Sequence, residues 1–227
     1  GLLSGVLHLI SLQQDGAFPI FSMLSNMRSY DDVTYVHSIN VSLICFIFSK
    51  WLHMSDSETK LATLCGLLHD IGKMLVPESI IKKPAKLTDK EYAQIKEHPV
   101  SGYNVLRARG IDEHICNAAL MHHERCDGSG YPLGLRRDQI DKYAKIVAIA
   151  DVYDATTSAR LYRGPLCPFT VIELFENEGL AKYDPHCIMT FLQNIVNTYL
   201  LNTARLSDGT VAKIVFINKD HLSQPTL

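Results

Sequence analysis

Two short histidine motifs, about fifty residues apart, contain the residue types that bind divalent metals. One is the run His69-Asp70-Ile71-Gly72-Lys73, and the other begins at His122-His123. Imidazole nitrogens and carboxylate oxygens are good ligands for first-row metals, and a lysine supplies a cation for an anionic substrate. Taken together, the two motifs predict a metal site suited to the cleavage of phosphodiesters.

Neither motif is decisive alone. A His-Asp pair at a helix end is as often a hydrogen-bonded surface feature as a pair of ligands. Here Leu67 and Leu68 precede the pair, so it should emerge from a buried helix, where an unpaired carboxylate is costly unless a metal or a cation compensates it. The side chains of His122 and His123 should point about 100° apart on a helix, so that both rarely serve packing.

Helices are the elements that must position these residues. Apolar residues crowd the segment 36–52, and a second apolar-periodic run begins near Ser57 and ends at His69-Asp70. Lys73 follows Asp70 by three residues, so both side chains would share one face if this helix continued.

The rest of the chain also favours helices, with one short β-hairpin. Thr88 and Glu91 have the spacing of a capping box for a helix that runs to His98. The Gly- and Pro-rich segment 126–135 predicts an ordered loop after the double histidine, and residues 205–216 predict a hairpin around a Ser-Asp-Gly turn. Further helices are predicted over residues 101–109, 112–123, 142–158, 168–177 and 185–199.

The bulk composition is that of an ordinary globular domain. The 227 residues carry a formal charge of −2, so no overall field attracts DNA, RNA or an anionic membrane. The six cysteines form no CxxC pair, which favours reduced thiols and a cytoplasmic location. The apolar segments 1–12 and 41–48 are too short to span a bilayer, so no membrane span is expected in this chain.

Read in order, the motifs resemble the HD-GYP domain, a branch of the HD superfamily of metal-dependent phosphohydrolases whose members typically hydrolyse cyclic di-GMP. Residues 69–73 match the HD signature and residues 127–132 match the GYP signature. Further blocks in family order are Lys83-Pro84-Ala85-Lys86-Leu87-Thr88, His98-Pro99, residues 150–155 and residues 160–163. The resemblance covers roughly residues 31–192.

The resemblance implies an all-α fold, a helical bundle around a metal centre, to which the sequence adds the short C-terminal hairpin. Iron or manganese is the implied metal, and a nitrogen and oxygen ligand set without thiolates agrees with either. The implied ligands, with Asp70 bridging two metals, are His37, His69, Asp70, His98, His122, His123 and Asp151.

Two positions depart from the family pattern. Some members have a glutamate four residues before the first ligand histidine and bind a third metal, whereas this chain has Val33, so we expect two divalent ions. A basic residue is common three positions after that histidine, where this chain has Asn40. The second departure leaves the metal ligands intact and concerns a supporting or substrate contact.

The implied reaction is hydrolysis of cyclic di-GMP to pGpG by attack of a metal-bridging hydroxide, with further cleavage to GMP left open. Asp70 and Lys73 are the expected catalytic residues. Lys73, Arg160, Arg163 and Tyr131 are the expected substrate contacts. The two arginines are equally compatible with helix-surface charges, and Tyr131 with packing beneath its own loop.

Several alternatives stay open. The substrate of such an enzyme is alternatively a cyclic GMP-AMP hybrid, and a catalytically weak receptor or interaction module for a cyclic dinucleotide is a different class of function. The Gly-Tyr-Pro loop is an expected surface for a signalling-domain partner, and a homodimer is considered. The expected organisation is a helical lead-in or linker (1–30), a catalytic domain (31–200) and a β-hairpin extension (201–227).

Overall fold

A computed structural model describes residues 23–158, 166–206 and 208–227, and helices dominate it. Residues 23–30 are helical. The helices that follow are α1 (Asp32–Trp51), α2 (Asp56–Leu68), α3 (Glu78–Ile81), α4 (Asp89–Ile95), α5 (His98–Arg107), α6 (Glu113–Met121), α7 (Lys142–Thr157), α8 (Pro168–Leu174), α9 (Leu180–Lys182) and α10 (Pro185–Asn197). Short 3-10 helices lie at Ile71–Leu75 and Arg137–Gln139, and a π-helical turn lies at Phe175–Gly179. The predicted all-helical class is confirmed.

Side-chain caps fix where the site-bearing helices begin. The carboxylate of Asp31 accepts hydrogen bonds from backbone amides at the start of α1, and Ser55 forms a capping box with Glu58 at the start of α2. These caps satisfy amide groups that have no partner within the helix. The capping box predicted for Thr88 and Glu91 is also present, at the start of α4.

Helix α7 lies at the centre of the bundle and packs against α1, α2 and α6. Its residues Ile146 and Ile149 are buried together with Phe48 from α1, Leu67 from α2 and Phe191 from α10. A helix that is apolar around most of its circumference is stable only when neighbours cover all of its faces. Polar groups on α7 near this core must therefore find partners inside the protein.

Two predicted helix boundaries are wrong. Helix α2 itself ends at Leu68, next to the predicted end at His69-Asp70, and the chain then tightens into the 3-10 helix Ile71–Leu75. The helix after Thr88 ends at Ile95, and a new helix begins at His98, where Pro99 occupies a first-turn position that needs no amide hydrogen. The predicted helix 168–177 changes to π-helical geometry at residue 175.

The C-terminal region forms two hairpins, whereas the sequence predicted one. Strands β1 (Thr203–Arg205) and β2 (Val211–Lys213) pair around the predicted turn, and β3 (Phe216–Asn218) pairs with β4 (His221–Thr226). The second hairpin was missed because β4 contains Pro225 and its register is irregular, which weakens the alternation typical of strands.

Both ends of the described chain share the central core. Met23, Leu24 and Met27 are buried in it at one end, and Ile217 and Leu222 at the other. The carboxylate of Glu176 also accepts a hydrogen bond from the backbone amide of Leu222 at 2.8 Å. The domain boundaries at residues 30 and 200 stay predictions.

Among the described residues, α1 is the one helix long and apolar enough to cross a membrane. The same test is passed by core helices of globular proteins, so it is weak evidence for a span. Half-way along its length α1 buries polar side chains, including His37, Ser38 and Ser42.

A close backbone contact at Gly72 joins the 3-10 helix to α5. A Cβ atom on Gly72 would lie 2.0 Å from the carbonyl oxygen of His98 and 2.5 Å from the amide nitrogen of Gly102. These neighbours are backbone atoms and have no rotamer with which to move away. The contact therefore fixes the distance between the turn after Asp70 and the start of α5.

We predict that Gly72→Ala destabilises the protein by at least about 3 kcal/mol, because the methyl group forces the two backbones apart. Urea unfolding of the metal-free protein measures the effect. The matched control is Gly179→Ala, whose Cβ would meet its nearest neighbours at an ordinary 3.5 Å, with an expected change within about 1 kcal/mol. Equal stability of the two variants would show that the contact at Gly72 is not a constraint.

Candidate metal centre

All seven predicted ligands converge on one buried site. His37 comes from the middle of α1, and Asp151 comes from α7. The other five lie at helix ends, where the chain turns away and leaves the side chain free to point into the bundle: His69, Asp70, His98, His122 and His123.

The two oxygens of the Asp70 carboxylate face two different groups of imidazoles. Oδ2 lies 3.4 Å from Nε2 of His69 and 3.7 Å from Nε2 of His37. Oδ1 lies 3.3 Å from Nε2 of His98 and 3.7 Å from Nε2 of His122. Asp70 thus lies between two groups of imidazoles, the His37 side (His37 and His69) and the His98 side (His98 and His122).

Asp151 is the second carboxylate of the cluster. Its Oδ1 lies 3.0 Å from Nε2 of His37 and 3.9 Å from Nε2 of His69, and its Oδ2 lies 3.9 Å from Nδ1 of His123. Because Asp151 touches both the His37 side and His123, it links the two sides at a second point.

Backbone carbonyls fix the tautomers of three of these histidines. Carbonyl oxygens three residues earlier in the chain accept hydrogen bonds from Nδ1 of His69, His98 and His122 at 2.7, 2.7 and 2.9 Å. With the proton on Nδ1, the Nε2 atom of each ring carries a lone pair, and this lone pair points into the cluster.

The inward-pointing imidazole nitrogens and carboxylate oxygens fit metal ions. Without metal ions, several of these acceptor atoms have no donor to pair with. Nε2 of His98 and Nε2 of His122 lie 3.2 Å apart, so two lone pairs face each other. Nε2 of His69 and Oδ1 of Asp70 are buried and have no hydrogen-bond partner among the residues that the structure describes. Such orphaned acceptors are costly, and a cation shared between them removes the cost.

The protonation states also suit metal binding. Burial alone would raise the pKa of Asp70, but Lys73 and the nearby imidazoles outweigh burial and hold that pKa well below its usual value. Burial lowers the pKa of His122 well below its usual value and that of His123 to about 3. Ionised carboxylates and neutral imidazoles are the forms that bind metals.

His37 differs from the other ligands. Burial opposes its charged form, yet hydrogen bonds to Asp151 and Asp154 outweigh burial and raise the pKa of His37 to about 9. Its Nδ1 lies 2.6 Å from Oδ2 of Asp154. Without a metal, His37 therefore carries the proton that balances these carboxylates.

A cavity of about 620 Å³ opens beside the cluster, with His37 and Lys73 in its wall. The Lys73 ammonium lies 2.6 Å from Oδ2 of Asp70, so this predicted catalytic and substrate-binding residue sits between the cluster and the cavity. Lys82, Lys83 and Lys86 also line the cavity. Asp31 and Asp89 line the cavity too, so lysines outnumber carboxylates in its wall. Its size is that of a pocket for a small ligand, and the excess of lysines suits a ligand with negative charge.

The other predicted substrate contacts are placed differently. The Tyr131 ring stacks on His123, with ring centroids 4.6 Å apart. The Lys96 ammonium lies 4.6 Å from the centroid of the Tyr131 ring. The structure thus brings Tyr131 against a ligand. Arg160 and Arg163 lie outside the described residues.

Two residues support His37: Asp154, to which the sequence assigned no role, and Asn40, which the sequence marked as a departure from the family pattern. Asp154 binds His37, and Asn40 in turn donates from Nδ2 to Oδ1 of Asp154 at 3.1 Å. The departure at Asn40 therefore preserves a supporting hydrogen bond. The spacing of Asp151 and Asp154, one helical turn apart, was a signal that both face the same side.

Glu124 is a further residue that the sequence did not single out. Its buried carboxylate accepts hydrogen bonds from the backbone amides of Leu133 at 2.7 Å and Leu135 at 2.9 Å. Gly130 packs so closely that a Cβ atom there would lie 2.4 Å from Cα of Glu124. Glu124 therefore holds the Gly-Tyr-Pro loop, and with it Tyr131, directly beside the double histidine.

The model of the HD domain family matches residues 23–187, which includes every ligand of the cluster. The chain belongs to the HD domain family. This confirms the resemblance drawn from the motifs and makes the chain a member of a family of metal-dependent phosphohydrolases. HD domain phosphohydrolases bind divalent metals, and the buried histidines and aspartates of this HD domain form a cluster that could hold such ions.

Curated relatives of this HD domain include two phosphodiesterases. A cyclic di-GMP phosphodiesterase of Pseudomonas aeruginosa is 43% identical over 194 residues, which are 85% of this chain and 46% of the relative. A 3'3'-cGAMP-specific phosphodiesterase of Vibrio cholerae is 37% identical over 197 residues, 85% of this chain and 46% of the relative. The chain spans about half the length of these relatives.

The fold of this HD domain also matches a solved structure. The HDG"Y"P protein Bd1817 of Bdellovibrio bacteriovorus superimposes with a TM-score of 0.59 at 23% identity, over 71% of this chain and 51% of that chain. At this level of identity the match supports the fold.

We predict that Glu124→Gln loosens the Gly-Tyr-Pro loop, because the side-chain amide turns a donor toward one of two backbone amides. The expected cost is about 1–3 kcal/mol of unfolding free energy, with faster hydrogen exchange at Leu133 and Leu135. The matched control is Asp127→Asn, an exposed carboxylate of the same loop, which should change stability by less than about 0.5 kcal/mol. Unchanged exchange in Glu124→Gln would contradict this role.

Proposed function

We propose that the protein hydrolyses cyclic di-GMP to pGpG in a metal-dependent reaction. The observation that carries the proposal is the position of Asp70: one buried carboxylate between two groups of imidazoles, beside a cavity lined by lysines. Two adjacent cation sites would stabilise both the attacking and the leaving oxygen of an in-line displacement at a phosphodiester. The name of the Pseudomonas relative supports the choice of substrate.

We propose two divalent metals, iron or manganese. His37, His69 and Asp151 would hold one, His98, His122 and His123 the other, and Asp70 would contact both. When bound, such a pair acidifies a water molecule and takes up charge on the phosphate oxygens. The absence of a thiolate from these groups supports iron or manganese over a structural zinc.

The protein's own residues position the substrate. Lys73 pairs with Asp70 and lines the cavity, so its ammonium is placed to meet a phosphate oxygen that approaches Asp70. We propose Arg160 and Arg163 as further contacts to phosphate or a guanine edge. For Tyr131, stacking on His123 supports a role in shaping the rim of the pocket.

A second candidate substrate is the cyclic GMP-AMP hybrid, which the name of the Vibrio relative favours. The complete ligand set argues against a receptor without activity.

We also propose a signalling-domain partner that binds the Gly-Tyr-Pro loop, where Leu133 is 57% exposed, and a homodimer. The six free cysteines support a location in the cytoplasm.

The experiment that tests the function uses this chain, loaded anaerobically with Fe²⁺ or Mn²⁺ and incubated with each cyclic dinucleotide separately. Chromatography separates pGpG, GMP and the linear hybrid. We expect turnover of cyclic di-GMP, and a higher kcat/KM than with the hybrid. Metal-loaded protein that leaves cyclic di-GMP intact would overturn the proposal, and a faster rate with the hybrid would favour the second candidate.

We predict that Asp70→Ala abolishes turnover and metal retention together, because the variant loses the carboxylate whose two oxygens face the two groups of imidazoles. Metal content after gel filtration and turnover on the same sample measure both effects. Asp127→Ala, in the exposed part of the loop, is the control and should retain both. Full metal content and rate in Asp70→Ala would refute the bridging role.

A further inference from the structure

Asp154 makes a contact unlike that of any other residue around the ligands. Its side chain is 6% exposed, and its Oδ2 lies 2.6 Å from Nδ1 of His37. By contrast, Nδ1 of His69, His98 and His122 each donates to a neutral backbone carbonyl. A carboxylate that accepts from an imidazole makes the opposite ring nitrogen a stronger ligand than a carbonyl does.

The other oxygen of Asp154 is held in place as well. Oδ1 accepts hydrogen bonds from Nδ2 of Asn40 at 3.1 Å and from Oγ of Ser158 at 3.0 Å. Asn40 lies on α1 one turn after His37, so ligand and support come from the same two helices, α1 and α7. Because Asn40 supplies a hydrogen bond without a charge, it orients the carboxylate and leaves its negative charge to act on His37.

We propose that Asp154 is a positioning residue for His37 and that it controls the affinity of one metal site only. It would hold the proton on Nδ1, direct Nε2 toward Asp70 and Asp151, and strengthen metal binding on the His37 side. The His98 side has its own backbone supports and does not depend on Asp154. This inference rests on the proposed two-metal centre and adds that the affinity of only one of its two metal sites depends on Asp154.

The test measures Mn²⁺ binding to the metal-free protein by competition with a chelator, with Asp154→Asn as the main variant. The amide preserves the shape of Asp154 but removes the charge. We expect two sites in the wild type, and in the variant a loss of about 10- to 100-fold in affinity at one site with the other within about twofold. A histidine NMR spectrum of the metal-free variant reports the Nδ1 proton of His37 independently of activity.

The chain offers a matched control for this substitution. Asp141 accepts from Nδ1 of the exposed His114 at 2.7 Å and caps α7, outside the ligand cluster. Asp141→Asn removes the same charge from the same kind of pair, and asparagine also caps helices well, so both Mn²⁺ affinities should stay unchanged. Asn40→Ala is the second, milder variant, and it should weaken the same single site to a smaller degree.

The outcomes separate the two proposals. Two unchanged affinities in Asp154→Asn, or equal losses at both sites in a folded variant, would overturn the inference. If Asp154→Asn does not fold, unchanged binding in Asn40→Ala overturns it. Wild-type protein that binds no Mn²⁺ at all would instead refute the proposed metal centre, whatever the variants do.

Discussion

The structure depends on how one buried carboxylate is compensated. The side chain of Asp70 is 1% exposed, and an isolated charge at that depth would destabilise the fold by several kcal/mol. Lys73 supplies one cation, and four imidazoles surround the two oxygens. The remaining lone pairs face one another, so the compensation is complete only when metal cations join the cluster.

This requirement explains why helix ends meet around Asp70. A residue at a helix end is not hemmed in by the next turn of its own helix and can approach several elements, and five of the seven predicted ligands are placed in this way. The tight contact of Gly72 with the backbone of His98 brings two such ends together, and Glu124 fixes the loop after a third. The positions of the predicted ligands are thus set in part by contacts that do not involve their side chains.

Much of this arrangement was predictable from the sequence. The seven residues of the cluster were implied by the resemblance to the HD-GYP family, and the Thr88 cap was recognisable from local spacing. Less predictable were features that depend on distant contacts. The 3-10 helix after Asp70 arises from packing against α5, and the roles of Asp154 and Glu124 arise from partners far away in the chain. The second hairpin had too weak an alternation to be noticed.

The two sides of the centre differ in the groups that hold their imidazoles, so negative charge is distributed unequally between them. The His37 side has Asp151 as a ligand and Asp154 behind the imidazole, so it concentrates negative charge. On the His98 side, backbone carbonyls fix the imidazoles of His98 and His122. The cavity opens next to His37 and Lys73, so the side of the centre that has more carboxylates lies at the cavity wall that the lysines share.

Anomalous X-ray diffraction from crystals of the Mn²⁺-loaded protein would locate the metals around Asp70. If Asp70 joins two metals, we expect two anomalous peaks, one about 2 Å from Nε2 of His69 and one at about the same distance from Nε2 of His98, each next to a different oxygen of Asp70. A single peak, or peaks that leave Asp70 without contact, would refute the two-metal centre.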